Sequence, residues 1–380
     1  MGGAYTALAA DAAATPYYNP GTTILQEGSS FSGSVHVFNK YDTNIGAGSD
    51  VAGAPARLSK GYFHSLPSAS GVILNYKTFA VGLSILVPDY DFYEGQIKTD
   101  ANTIASLSYV DESLWVGGTY STRLTPTDSV GFSLYYTSRS LSRSVNDRVT
   151  TGPTATTIVI EEKNLTSNNL VAILGYHRQF AEFWAVGVSY RPPSIMVAGE
   201  GTYFRSVTQT SPYNDAEANQ GSINAVTKIP LRLAIGLARE EPKHYTISID
   251  ATFYTALDYK DYPDFDSGTD DLHYRKTANF AIGYEQYLRT WLSVRAGAYT
   301  NLAASGSPDP KSTYRQLDQL DQYGVSANVN IRAHEQTSFT FGGYYTGGSG
   351  LSSQLIGGSV KIIPKTQQVF TMLVGTGFHF

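Results

Sequence analysis

Cysteine is absent from this 380-residue chain, and so is any long apolar run. No stretch approaches the roughly 18 to 20 uninterrupted apolar residues of a membrane helix, although 42% of the residues are hydrophobic, so a helical inner-membrane protein is excluded. Helical apolar periods, which a soluble chain of this length would show, are missing as well. The lack of cysteine fits an oxidising envelope compartment, and it is also common in cytosolic bacterial proteins. Charged residues are scarce at 16%, the net charge is -5, and Lys and Arg are dispersed, so there is no basic face and no nucleic-acid partner is expected. The opening Met1-Gly2-Gly3-Ala4-Tyr5 has neither the basic nor the apolar region of a secretion signal and reads as a mature or trimmed start. Catalytic motifs are lacking too. No Gly-x-Ser-x-Gly elbow occurs, His334-Glu335-Gln336-Thr337-Ser338 fails as a zinc motif, and the other histidines are scattered, so no catalytic residue, metal or cofactor is expected.

What is present is glycine (36) and tyrosine (28), in an alternating pattern. Tyr245, Ile247, Ile249, Ala251 and Phe253 alternate with Thr246, Ser248, Asp250 and Thr252, and the same dyad runs through Leu231–Ala238 and Leu292–Ala298. Alternation fits a soluble sandwich or a membrane barrel equally well. Connection lengths separate them. Strands read at 29–41, 69–77, 79–88, 103–124, 128–142, 169–180, 184–200, 222–239, 244–256, 274–286, 291–301, 321–333, 337–347 and 368–380 leave long connections that alternate strictly with short ones. Short periplasmic turns and long external loops produce that pattern. Asp111-Glu112-Ser113 resembles a turn, but splitting 103–124 there breaks the parity, so one long strand is expected. Phe370, Met372, Val374, Thr376, Phe378 and Phe380 share a face of the last strand, and the chain ends on that aromatic. The expected fold is all-β: a fourteen-stranded antiparallel transmembrane β-barrel over 29–380, in a Gram-negative-type outer membrane with lipid and lipopolysaccharide around it and both termini periplasmic.

Residues 1–28 do not read as a strand, being first small and apolar and then turn-forming. Either they form a surface helix and loop, or they plug the barrel. Gly2-Gly3-Ala4-Tyr5, the stretch Asp11-Ala12-Ala13-Ala14-Thr15 and Tyr17-Tyr18-Asn19-Pro20-Gly21 resemble, at matching spacing, the opening of the outer-membrane long-chain fatty-acid and hydrocarbon transporter family (FadL-like). Gly21 stands where that family usually has Ala, and Pro16 precedes the tyrosines. The resemblance extends over the fourteen-strand pattern. It implies an N-terminal hatch and passive uptake of hydrophobic small molecules such as long-chain fatty acids or aromatic hydrocarbons.

Alternation points Arg123, Arg139, Arg191, Arg232, Asp250, Glu285 and Arg295 into the lumen, where they anchor a plug, hold a ligand carboxylate or simply face water. Pro192 and Pro193 cannot donate to a β-ladder, so the wall bulges or gaps there, or that stretch already lies above the membrane; Tyr176 on the preceding strand is expected to line any path through it. The aspartates of 257–273 read as a solvated turn rather than a calcium loop, flanked by a girdle of Phe253, Tyr254, Tyr259, Tyr262 and Phe265. A docking barrel in secretion or envelope machinery, with an unspecified protein partner, is the alternative to transport.

Overall fold

The structure is a computed structural model and describes residues 1–49, 55–98, 102–150, 155–356 and 359–380. After a short helix α1 (Thr15–Tyr18) and a 3₁₀ turn (Pro20–Leu25), the strands are β1 (Ser30–Ser49), β2 (Pro55–Asn75), β3 (Phe79–Lys98), β4 (Thr103–Arg123), β5 (Asp128–Thr150), β6 (Thr156–Ala181), β7 (Trp184–Arg191), β8 (Ile195–Thr210), β9 (Tyr213–Asn224), β10 (Arg232–Glu241), β11 (Tyr245–Tyr254), β12 (Leu257–Lys260), β13 (Asp270–Tyr274), β14 (Thr277–Arg289), β15 (Leu292–Asn301), β16 (Arg315–Gln316), β17 (Gln319–His334), β18 (Thr337–Ile356) and β19 (Ser359–His379). Fourteen of them, β1–β7, β10, β11, β14, β15 and β17–β19, form an antiparallel cylinder closed by β1 against β19, from Ser30 opposite His379 to Ile45 opposite Lys365. Closure pairs the edges that an open sheet would expose.

The apolar residues are the exposed ones over part of the wall. On β11, Ile249 is 50% exposed while its neighbour Asp250, facing the lumen, is 3% exposed. Ile235, Leu237, Phe280 and Ile282 continue the outward belt across β10 and β14. A soluble sandwich would invert this, so the belt is a lipid-facing surface.

On the long strands the sign of the alternation flips along a single strand. In β5, Phe132, Leu134 and Tyr136 point outward while Ser133 and Thr137 are buried; a few residues on, Ser140 and Ser142 are exposed while Leu141 and Val145 are buried. The strand has left the membrane and become the wall of a water-facing domain whose core, Tyr93, Leu107, Tyr109, Leu141, Leu165, Tyr203 and Tyr262 among others, fills the barrel at the end away from the short turns.

That change of sign corrects the boundaries read from sequence. Stretches expected as loops at 89–98, 143–150 and 156–168 are strand extensions, and 201–221 lies within the hairpin β8–β9, whose β8 is hydrogen-bonded to residues 157–170 of β6. Residues 225–231 form no strand, so β10 begins at Arg232 rather than near 222. Asp111-Glu112-Ser113 remains within β4, because the Asp111 carboxylate accepts two bonds from the Arg139 guanidinium on β5, at 2.8 and 2.6 Å, instead of turning the backbone.

Candidate functional site

Residues 1–28 lie against the inner wall at the end with the short turns. Lumen-facing glycines make room for them. A Cβ on Gly187 of β7 would overlap the Thr6 carbonyl, and one on Gly175 of β6 would overlap the Asn19 side chain; Gly71, Gly131, Gly283 and Gly297 meet Ala13, Pro20, Met1 and Gly2 in the same way. The unusual glycine of the Tyr-Tyr-Asn-Pro-Gly motif has the same origin. A Cβ on Gly21 would sit 2.9 Å from the Gly175 carbonyl, closer than side-chain carbons approach.

Polar groups then fix the segment. Asp250 accepts the Thr6 N–H at 2.8 Å, and the Asn19 amide donates to the Thr6 carbonyl at 2.7 Å and the Tyr176 carbonyl at 2.9 Å while its oxygen accepts from Gly21. Asp11 accepts from the Ala13 and Ala14 amides and from Ser32 of β1, and Gly2 donates to Ser326 of β17. Gly2 and Gly3 adopt positive φ of 58° and 84°, a conformation open to glycine at little cost, and Ala4 is fully buried. Tyr5 packs on Tyr18 with ring centroids 5.6 Å apart, and Pro20 starts the 3₁₀ turn.

The lumen charges separate into distinct environments. Glu285 pairs with Arg295 at 2.9 Å beneath the start of the chain. Arg232 donates to the Tyr17 and Tyr18 carbonyls at 3.1 and 3.3 Å and lies over the Tyr17 ring. Arg139 pairs with Asp111, Arg123 is exposed at the short-turn end of β4, and Arg191 is buried without a partner for its Nε. Tyr176 does not line the lumen. It is one residue from the inward Gly175, and its hydroxyl bonds Asp128 at the end of the β4–β5 turn.

The opposite end is closed by a cap. Strands β12, β13 and β16 form a small sheet; the loop after β12 buries Asp261 and Tyr262, and β13 begins with the buried Asp270. Lys163, fully buried on β6, bonds Asp261 at 2.6 Å; Arg143 on β5 holds both oxygens of Asp270 at 2.8 and 2.9 Å; Arg315 reaches Asp270 at 3.2 Å; Lys365 on β19 bonds Asp318 at 2.8 Å. Burial disfavours the Asp270 carboxylate, but Arg143, Lys163 and Arg315 outweigh it and hold its pKa well below the usual range, whereas burial and the charge of Asp270 push Asp261 up. These two aspartates are therefore not the solvated turn expected from sequence; Asp264 and Asp266 are exposed. Nor are the aromatics one girdle. Phe253 faces outward, Tyr259 and Tyr262 are buried in the cap, Phe265 packs against Tyr203, and Tyr254 lines the lumen.

Between the N-terminal segment and the cap lies a chamber. A cavity of about 460 Å³ bounded by Tyr17, Trp115, Arg191, Ile229 and Tyr254 adjoins one of about 600 Å³ reaching Gly2, Asp89 and Lys365, the two sharing Asp89, Asp111 and Asp318. Beside the first, the wall pairing lapses. β6 pairs with β7 up to Leu174 opposite Tyr190 and resumes with β8 at Leu170 opposite Ile195, leaving Arg191–Ser194 outside that ladder. The segment 225–231 patches the lapse, with Ser194 donating to Ile229 at 3.1 Å and Ile229 donating back to the Ser194 hydroxyl at 2.9 Å.

Fold and lumen together define a fourteen-stranded transmembrane barrel, filled at both ends around a central chamber. Among solved structures this fold is shared with a Pseudomonas aeruginosa FadL homologue (TM-score 0.67, 14% identity, 99% of this chain and 96% of that one) and the Pseudomonas putida toluene transporter TodX (0.67, 12%, 100% and 98%). It is shared likewise with the Ralstonia pickettii toluene transporter TbuX (0.63, 13%, 99% and 96%). The fold is thus that of the family whose opening motifs the sequence resembles. No family model and no curated protein matches the chain in sequence.

Proposed function

We propose that this protein is an outer-membrane channel for passive uptake of hydrophobic small molecules, with residues 1–28 as its hatch, both termini periplasmic, and lipid and lipopolysaccharide around its belt. The observation that carries the reading is the chamber enclosed between hatch and cap beside a lapse in the wall. The neighbours in fold named as toluene transporters point to the same substrate range. A docking barrel has no use for such a chamber, so transport is preferred.

The lapse at Pro192 and Pro193 is the proposed lateral exit. Exposed Ile195 (69%) and Val197 (55%) beside it match a lipid-facing height. A ligand leaving there reaches the bilayer without crossing the polar inner mouth. The test is toluene uptake by cells expressing the protein against cells lacking it, then by cells carrying Pro192→Thr with Pro193→Val at equal surface level. Expression should accelerate uptake and the double replacement should slow it by restoring ladder bonds. Uptake unchanged by expression would refute the channel; uptake undiminished by the replacement would refute the lateral route.

A further inference from the structure

Arg191 is a buried cation with no carboxylate in direct contact among the described residues, Asp89 attracting it only across the cavity they share. It is 5% exposed, its Nε has no hydrogen-bond partner, and it takes part in no ion pair among the described residues. Its cross-strand neighbour in the β7–β10 ladder is Arg232, a like charge directly opposite, which by itself destabilises a sheet. Arg232 is occupied by backbone carbonyls and the Ser189 hydroxyl, so no carboxylate offsets either guanidinium by direct contact. Arg191 borders the chamber, and an anion there would be held by charge-assisted bonds.

The surroundings describe the rest of that anion. Trp115 lies under the Arg191 guanidinium at 5.7 Å from its ring, and Tyr17 meets Trp115 edge to face at 5.6 Å, so flat aromatic surfaces adjoin the charge. Elsewhere the lining mixes Thr137, Asn169, Asn279 and Asn301 with Ile229, Pro230, Leu302, Ala303 and Leu320, so part of a long alkyl chain would lie on amides and hydroxyls, where a CH₂ gains less than on apolar wall. Asp111 is neutralised by Arg139. Asp318 is paired with Lys365, which leaves Asp89, hydrogen-bonded to Ser113 at 3.0 Å, as the carboxylate of this cavity that opposes an incoming anion.

We infer that the chamber takes an aromatic carboxylate, its ring against Trp115 and Tyr17 and its carboxylate on the Arg191 guanidinium. This rests on the uptake reading above and narrows it from hydrophobic molecules in general to a small amphipathic class.

The test is calorimetric titration of the full-length protein in non-ionic detergent with benzoate, its neutral analogue benzyl alcohol, and decanoate. Benzoate should bind at least about tenfold more tightly than benzyl alcohol, as expected for a charged hydrogen bond, and more tightly than decanoate. Arg191→Gln should abolish the preference over benzyl alcohol. Asp89→Asn should strengthen benzoate binding, a gain that misfolding cannot imitate. Equal affinity for benzoate and benzyl alcohol, or decanoate bound as well as benzoate and indifferent to Arg191→Gln, would overturn the inference. If toluene uptake persists in cells while benzoate does not bind, this inference fails and the channel stands; if expression accelerates uptake of neither compound, the channel reading fails too.

Discussion

Adding one methyl group at Gly187 tests whether residues 1–28 act as a hatch. In Gly187→Ala the new Cβ overlaps the Thr6 carbonyl oxygen and falls 2.8 Å from the Ala7 Cα, so the segment must retreat from β7. The Asn19 bond to the Thr6 carbonyl (2.7 Å) and the Thr6 N–H bond to Asp250 (2.8 Å) are both lost in that retreat. One neutral and one charge-assisted hydrogen bond together contribute about 2–4 kcal/mol. The dislodged state therefore gains roughly thirty- to a thousandfold in population. Conductance in planar bilayers reads this directly, with Gly33→Ala as control because its Cβ would meet only the Phe31 ring at 3.9 Å. Gly187→Ala should open more often and Gly33→Ala should match the parent. A heat-modifiable, folded Gly187→Ala barrel with parental conductance and protease-resistant residues 1–28 would refute the reasoning.

Cysteines replacing Ser211 and Asp266, both exposed on the capped side, should label on intact cells while one replacing Thr127 should not; labelling at 127 would reverse the topology. Lys163→Met leaves Asp261 and Asp270 facing each other with less compensation, at a cost of about 3–5 kcal/mol, and should make 257–274 protease-sensitive while the barrel stays folded. The cap should also be acid-sensitive. Cationic partners hold Asp270 and Asp318 below their ordinary values despite burial, so their contribution is complete above the unfolded value of about pH 4 and is lost as pH falls through the lower folded values. Protection factors in 257–274, corrected for the intrinsic pH dependence of amide exchange, should not fall between about pH 7 and 5, where protonating Asp261 only relieves its repulsion by Asp270, and should fall below about pH 4; a fall between about pH 5 and 7 would count against this linkage.

The barrel was legible because a lipid-facing strand such as β11 keeps one alternation throughout. Where β5 passes Thr137 the solvent on its outer face changes from lipid to water, the alternation reverses, and a reading that follows one sign ends the strand too early. The inward orientation of Arg191, Arg232, Asp250 and Glu285 followed from period two alone. Tyr176 was misplaced by a single residue, which in a strand means the opposite face. Trp115 and Lys163 were missed because an inward tryptophan and a loop-clamping lysine look ordinary until distant strands meet. The glycine seats did carry a signal: Gly175, Gly187 and Gly236 recur at inward positions of three neighbouring strands.

The cap carries an order of assembly within it. Arg143 and Asp270 are 127 residues apart in sequence, and Lys163 and Asp261 are 98 apart, with β7, β10 and β11 between them. Neither contact can repay its loop-closure entropy until the intervening strands have already brought the two sides of the cylinder together. Protection of Tyr262 and its loop therefore marks a late stage of folding, reached once the wall beneath it is built.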